Sequence, residues 1–288
     1  MASIPLPVLT AVVDAAALRE RVAHGGKPTG LRLVDCRFDL ADAASGARAY
    51  AAGHLPGAVF ADLERDLSGP KTGRNGRHPL PSPERLLGRL RDWGIDDATQ
   101  VVAYDAQGGS FAARLWWLLR RSGHEAVAVL DGGIGAWTAA GGAIETGEPS
   151  YRRGTIAQQP PLEALVLADD VLASGRLLVD ARAAERFSGA QEPIDPVGGH
   201  IPGARNRFWQ ANLRDGRFKD PATLRDEWTQ LLAGRAPGDV TAYCGSGVTA
   251  CHNLLALHRA GLDGASLYAG SWSEWSADPG RPVARGEG

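Results

Sequence analysis

The chain carries one sequence pattern twice, and this duplication constrains its fold more than any other feature. Four segments of the first half recur about 140 residues later: LRLVDCR as RLLVDAR, GHLPGA as GHIPGA, VVAYD as VTAYC, and DGGIGAW as AGSWSEW. A repeat of this length indicates two copies of a whole domain and not a solenoid of short units.

The region between the copies separates two domains. The stretch ETGEPSYRRGTIAQQPP is rich in glycine, proline and polar residues and has no apolar periodicity, which is typical of linkers. We therefore predict domains at residues 1–145 and 161–288, joined by a linker at 146–160.

Short apolar runs alternate with amphipathic patterns, which predicts an α/β fold in each domain. PSPERLLGRLRDW and DPATLRDEWTQLLAG predict helices capped by Ser82 and Asp220, the second ending at Gly234. Runs such as VVAYD and AVAVLD are short and almost wholly apolar, like strands covered on both faces. We expect two tandem domains, each a mainly parallel sheet with helices on both faces. Asp105 and Cys244 then follow strands at the edge where such sheets bind ligands.

Composition and charge exclude several classes of partner. The formal net charge is −2, from 31 basic and 33 acidic residues, so we expect no nucleic acid and no membrane as a partner. No apolar stretch reaches the ~18 residues of a membrane span, and the N-terminus lacks a basic leader. The three cysteines form neither a disulfide framework nor a zinc spacing, so we expect no metal and a reducing, cytoplasmic location.

The segment TAYCGSGVTACHN places a cysteine where an apolar run meets a glycine-rich loop and the start of a helix, predicted from Val248 to Ala260. The amides of Gly245, Ser246 and Gly247 can turn toward one point, where the helix dipole adds positive potential. Such surroundings lower a cysteine pKa from about 8.5 to about 3.5–7.5. The pattern therefore indicates that Cys244 is an anionic sulfur nucleophile.

Neighbouring positions limit this interpretation to one cysteine and one chemistry. Cys36 and Cys251 are better explained as packing residues, since free cysteine is among the most buried residue types. The first copy has Asp105 in place of the nucleophile, so only the second copy can carry sulfur. A cysteine phosphatase needs an arginine six positions after its cysteine, and Ala250 occupies that position.

The segments CGSGVTA, GHLPGA, GHIPGA and GSWSEW together resemble tandem-domain rhodanese-family sulfurtransferases over nearly the whole chain, most closely the 3-mercaptopyruvate branch. The resemblance implies a rhodanese-like fold in each half, an inactive first copy and a site at the domain interface. It also implies transfer of sulfur from a small-molecule donor to a thiol acceptor, such as thioredoxin or another dithiol, or to cyanide. The sulfur would pass through a Cys244 persulfide, with no cofactor.

The same resemblance implies roles for individual residues. His78, lent by the first domain, would act with Ser246 and Glu64 in proton transfer, and Arg186 would bind the donor carboxylate. The loop residues implied to hold the donor and the persulfide are Gly245, Gly247, Val248 and Thr249.

One position departs from the family pattern. The second donor-binding arginine of the family corresponds to Asp195, which reverses the local charge. Either another arginine compensates or the donor differs. The candidate compensating residues are Arg182, Arg205 and Arg207.

Three functions remain open from the sequence. The first is a sulfurtransferase that uses 3-mercaptopyruvate, because thiosulfate-type rhodaneses usually carry charged residues after the cysteine and this loop does not. The second is a thiosulfate sulfurtransferase. The third is a non-catalytic module that binds a persulfide or senses redox state through Cys244.

Overall fold

The computed structural model describes residues 7–24 and 30–287. Residues 1–6, part of the N-terminal stretch for which we predict no leader, lie outside the described residues. The strands of the first half are β1 (Val12–Val13), β2 (Leu31–Asp35), β3 (Val59–Phe60), β4 (Gln100–Tyr104) and β5 (Val127–Leu130). Its helices are α1 (Ala15–His24), α2 (Ser45–Ala52), α3 (Pro83–Asp92), α4 (Ala112–Arg121) and α5 (Gly133–Ala139).

The second half repeats this element order. Its strands are β6 (Ala164–Val166), β7 (Leu177–Asp180), β8 (Arg205–Asn206), β9 (Leu213–Arg214), β10 (Arg217–Phe218), β11 (Val240–Tyr243) and β12 (Ser266–Tyr268). Its helices are α6 (Asp170–Ala173), α7 (Ala184–Ser188), α8 (Pro221–Leu232), α9 (Ala250–Arg259) and α10 (Ser271–Trp275).

Each half forms a five-stranded parallel sheet. The strand orders are β1-β5-β4-β2-β3 and β6-β12-β11-β7-β8, which place corresponding strands in corresponding positions. The additional pair β9 and β10 is an antiparallel hairpin. Separate apolar clusters cover the outer faces of the two sheets, and a larger cluster with residues of both halves lies between them. The predicted α/β class with helices on both faces is confirmed.

Helix α4 of the first half packs directly against α9 of the second. Contacts run both ways across this pair: Arg114 on α4 donates to the Gly247 carbonyl, and His252 on α9 bonds the Gly108 carbonyl. Because α4 and α9 each follow the loop that leaves a central strand, their packing brings these two loops to the interface.

The predicted helix caps are present, and the predicted helix ends need correction. Ser82 and Asp220 accept backbone N–H groups at the starts of α3 and α8. Helix α8 ends at Leu232, and the first left-handed residue after it is Ala233, not Gly234. Helix α9 begins at Ala250, not at Val248. Val248 therefore belongs to the loop after Cys244, which lengthens the part of the backbone that can turn around the sulfur.

Candidate active site

Cys244 lies directly after strand β11, at the carboxyl end of a central strand of the second sheet. Its residue is only 1% exposed. The sulfur accepts a hydrogen bond from the Gly247 amide at 3.1 Å. The loop therefore turns at least one backbone donor onto the sulfur.

Two features outside the loop hold Cys244 in place. Its own amide donates to Ser271 Oγ at 3.1 Å, and its carbonyl accepts from the Trp272 amide at 2.9 Å. Ser271 has a left-handed backbone with φ of 55°, which is unusual for a residue other than glycine. Such strain persists only where the surrounding structure enforces it, and here it supports the nucleophile.

Gly247 is required at its position for two reasons. Its φ is +75°, and a Cβ there would collide with the Ala269 carbonyl oxygen. Only glycine combines this backbone conformation with so close an approach. The glycine predicted from the sequence therefore shapes the turn that brings its amide to the sulfur.

The equivalent loop of the first half shows what this backbone can bind. Asp105 is completely buried after β4, and its carboxylate accepts four backbone N–H groups at 2.9–3.0 Å. The four donors belong to Gln107, Gly109, Phe111 and Ala112. The first-half loop is thus an anion site filled by its own side chain, which leaves it closed to sulfur chemistry.

His78 and Ser246 meet across the interface between the two halves. His78 Nδ1 lies 2.8 Å from Ser246 Oγ. Burial lowers the pKa of His78 to about 3, and the cations Arg114, Lys71 and Arg77 act in the same direction. The imidazole is therefore neutral at pH 7 and can exchange a hydrogen bond with the hydroxyl in either direction.

Arg114 connects the loop after Cys244 to the segment that carries His78. It is completely buried, and its guanidinium donates to the carbonyls of both Gly247 and His78 at 3.0 Å. Burial lowers the pKa of Arg114, while the nearby Cys251 and Cys244 act in the opposite direction. The sequence analysis does not identify Arg114 as a site residue. A charged residue within the apolar run AARLWWLL does, however, indicate a buried cation.

Arg186 lies beside the cysteine loop within a network of charges. Its guanidinium binds Glu192 at 2.8 Å and Asp195 at 3.0 Å. Asp195 is also paired with Arg77 from the first half. Burial raises the pKa of Asp195, and Glu192 adds to this rise, whereas Arg77 and Arg186 oppose it. The structure thus places an arginine against Asp195, but not one of the three arginines expected.

Among the described contacts, none of the three arginines expected as replacements binds Asp195. Arg182 is 3% exposed and pairs with Asp180 at 2.7 Å, as Arg37 pairs with Asp35 in the non-catalytic half. Arg205 donates to the Leu231 carbonyl, and Arg207 pairs with Glu227 at 2.8 Å. Of the three, only Arg182 reaches this charge network, since its guanidinium also binds Glu192 at 3.2 Å, whereas Arg205 and Arg207 contact α8.

Glu64 lies outside the His78 and Ser246 pair. Its carboxylate binds the ammonium of Lys71 at 2.7 Å, and both side chains are almost half exposed. Glu64 therefore contacts the loop that carries His78, and the contacts of the described residues give it no place in a relay with Ser246.

The two remaining cysteines are packed in the core. Cys36 and Cys251 are buried, and burial raises the pKa of both thiols, that of Cys251 to about 12. Over the described ranges there is no cluster of three or more metal-ligating side chains. Within the same ranges no helix is long and apolar enough to cross a membrane.

The chain is similar to known proteins over most of its length. The rhodanese-like domain family matches residues 14–140 and again residues 164–278. A Pseudomonas aeruginosa protein named "Probable 3-mercaptopyruvate sulfurtransferase" is 53% identical over 264 residues, which cover 89% of this chain and 93% of that protein. A Mycobacterium tuberculosis protein named "Putative thiosulfate sulfurtransferase" is 42% identical over 292 residues, which cover 96% and 97% of the two chains.

Solved structures show the same likeness. The 3-mercaptopyruvate sulfurtransferase from Leishmania major superposes with a TM-score of 0.82 at 31% identity, over 93% of this chain and 74% of that one. With both halves matched by the family and full-length relatives this similar, the chain belongs to the rhodanese family, as a sulfurtransferase with two rhodanese-like domains in tandem.

Proposed function

We propose that this sulfurtransferase takes sulfur from 3-mercaptopyruvate and passes it to a thiol through a persulfide on Cys244. The observation that carries the proposal is the sulfur of Cys244 beneath the Gly247 amide, with Ser246 and His78 hydrogen-bonded to each other beside it. The loop contributes no charged side chain of the kind that thiosulfate-type rhodaneses usually carry, and the guanidinium of Arg186 beside it is suited to a donor carboxylate.

The first half-reaction needs a nucleophile and one proton transfer. The Cys244 thiolate attacks the donor sulfur, an S–S bond forms, the C–S bond breaks, and its electron pair leaves on the enolate of pyruvate. The proton that the donor thiol carried is then transferred to the enolate carbon, which gives pyruvate. Ser246, hydrogen-bonded to neutral His78, is the group placed to carry that proton.

The persulfide then gives up its outer sulfur. A thiolate of the acceptor attacks that sulfur, and Cys244 leaves as a thiolate that the loop amide again stabilises. A dithiol such as thioredoxin completes the cycle by releasing hydrogen sulfide and forming its disulfide. Three cysteines, all free, agree with a reducing cytoplasm as the site of action.

The test is a comparison of donors on the purified chain. We expect a higher kcat/KM with 3-mercaptopyruvate than with thiosulfate, and mass spectrometry of the donor-treated protein to find one added sulfur on Cys244. Cys244→Ser should abolish both turnover and the adduct, whereas Cys251→Ser should keep both. Equal activity in Cys244→Ser would refute the proposal.

Thiosulfate is the second candidate donor, since the Mycobacterium tuberculosis relative carries that activity in its name. A higher kcat/KM with thiosulfate would select it. A stable adduct without turnover with either donor would instead select the persulfide-binding or redox-sensing module.

A further inference from the structure

The side chain opposite Asp195 comes from the other domain. Arg77 follows Gly76 in the loop that also carries His78. Its amide donates to Ser273 Oγ of the second domain at 3.0 Å, and a Cβ at Gly76 would lie 2.7 Å from the Gly270 carbonyl oxygen. The loop is therefore seated tightly on the second domain, and the Arg77 side chain starts from a fixed position.

The guanidinium groups of Arg77 and Arg186 converge on the residue after the nucleophile. A Cβ added at Gly245 would lie 2.8 Å from Arg77 Nη2 and 3.6 Å from each terminal nitrogen of Arg186. Two cations from different domains thus cover the backbone next to Cys244. Both cations therefore lie within contact distance of the residue next to the sulfur that the donor must reach.

Asp195 shows that this pair of guanidinium groups already binds a carboxylate. Its Oδ2 accepts from Arg186 at 3.0 Å and its Oδ1 from Arg77, while its side chain is only 3% exposed. Planar guanidinium groups are suited to carboxylates, and two of them around one anion make a specific site. Both guanidinium groups already bind Asp195, so an incoming carboxylate must share a guanidinium with it.

We propose that Arg77, contributed by the first domain, is the second donor-carboxylate arginine of this enzyme, and that Asp195 holds both arginines in position until the donor binds. The inference rests on the proposed function and deepens it. Asp195, which the resemblance places at the family's second arginine, thus anchors an arginine that enters from the opposite domain.

The experiment compares two donors in the full-length chain. 3-Mercaptopyruvate carries the carboxylate, and 1-mercaptopropan-2-one has the same ketone and thiol without it. In Arg77→Met we expect KM for 3-mercaptopyruvate to rise about 10- to 100-fold with little change in kcat, as for one lost charge-assisted hydrogen bond. KM for the carboxylate-free donor should stay within about twofold, because the lost contact is made only to the carboxylate. Arg74→Met, an exposed arginine of the same loop, is the matched control and should leave both values unchanged.

A purely structural role gives a different result. If Arg77 only ties the domains together, Arg77→Met changes the two donors equally, and this outcome overturns the proposal, as does no change with either donor. Asp195→Asn removes the charge that holds both arginines in position, so it should raise KM for 3-mercaptopyruvate by less than Arg77→Met does and leave KM for the carboxylate-free donor within about twofold. An equal change in KM for the two donors would overturn this role of Asp195.

Two further measurements keep the test decisive. Arg77→Lys keeps the charge without the planar fork, so it should raise KM for the carboxylate donor by less than Arg77→Met does. It also serves if the methionine variant does not fold. A wild-type protein without turnover of 3-mercaptopyruvate refutes the proposed function itself. Turnover with no donor selectivity in the Arg77 variants refutes the assignment of Arg77 alone.

Discussion

Asp105 and Cys244 occupy equivalent loops, and replacing each by its closest neutral analogue should separate stability from catalysis. In Asp105→Asn one carboxylate oxygen becomes an amide nitrogen, which cannot accept. Two of the four N–H groups at 2.9–3.0 Å then lose their partner in a fully buried site. At about 1.5–3 kcal/mol for each hydrogen bond to a charged group, the loss is about 3–6 kcal/mol.

Denaturation in urea, followed by the fluorescence of the eight tryptophans, measures this loss. With a slope of about 3 kcal/mol/M, we expect the midpoint of Asp105→Asn to fall by about 1–2 M. The folded variant should keep the wild-type kcat and form the Cys244 persulfide. Cys244→Ser should do the reverse, with a midpoint close to that of the wild type and no persulfide.

Two results would refute this reasoning. An Asp105→Asn protein as stable as the wild type would mean that the buried carboxylate does not organise its loop. A folded Asp105→Asn protein that cannot form the persulfide would mean that the first-domain loop takes part in catalysis.

Three more predictions concern the surroundings of the cysteine. Because burial lowers the pKa of His78 to about 3 from 6.5, its contribution to stability is complete above about pH 6.5 and is lost as the pH falls toward 3. Urea unfolding at several pH values measures how the free energy of unfolding changes with pH. Between about pH 3 and 6.5 this free energy should rise less steeply in His78→Asn than in the wild type, by up to about 1.4 kcal/mol per pH unit. Arg114→Lys cannot bridge the Gly247 and His78 carbonyls, so steady-state assays should find kcat reduced about tenfold or more; an unchanged kcat would contradict this. Gly247→Ala should abolish persulfide formation, whereas Gly234→Ala, also left-handed but open on all sides, should cost only about 1 kcal/mol and keep activity.

The fold could be predicted because its signals are local and occur twice. Ser82 and Asp220 cap helices through contacts within three residues, and short apolar runs specify strands covered on both faces. The duplication added an internal comparison, since Asp105 replaces Cys244 in an otherwise similar loop. These features depend on interactions between residues that are close in the sequence, so the sequence alone is sufficient to predict them.

Site residues could be predicted only where a local motif or the family resemblance identifies them. Cys244 was found from its own loop, and the resemblance to the family supplied His78 and Ser246, which the structure brings together. Arg77 and Arg114 were missed because their roles depend on contacts with Asp195 and Gly247, more than 100 residues away in the chain. The local charge at Asp195 could not be predicted for the same reason. Its negative charge is paired with Arg77, which comes from the other domain.

The difference between the two loops leads to a last prediction. Among the described contacts Asp105 accepts four backbone amides, whereas the Cys244 sulfur accepts one, from Gly247. A persulfide adds an anionic sulfur at the point toward which the loop after Cys244 turns. We therefore expect this sulfur to accept hydrogen bonds from amides of that loop, as the Asp105 carboxylate does in the first half. One further hydrogen bond to a charged group is worth about 1.5–3 kcal/mol, which corresponds to a rise in Tm of about 3–6 °C in a chain of this size.

Calorimetry of the protein before and after treatment with 3-mercaptopyruvate would measure this rise. Cyanide, which removes the outer sulfur, should reverse it, and Cys244→Ser should show no change with the donor. An equal Tm for the two forms would mean that the loop around Cys244 is already complete without the second sulfur. A rise that persists in Cys244→Ser would assign the stabilisation to donor binding at the arginines Arg77 and Arg186 and not to the persulfide.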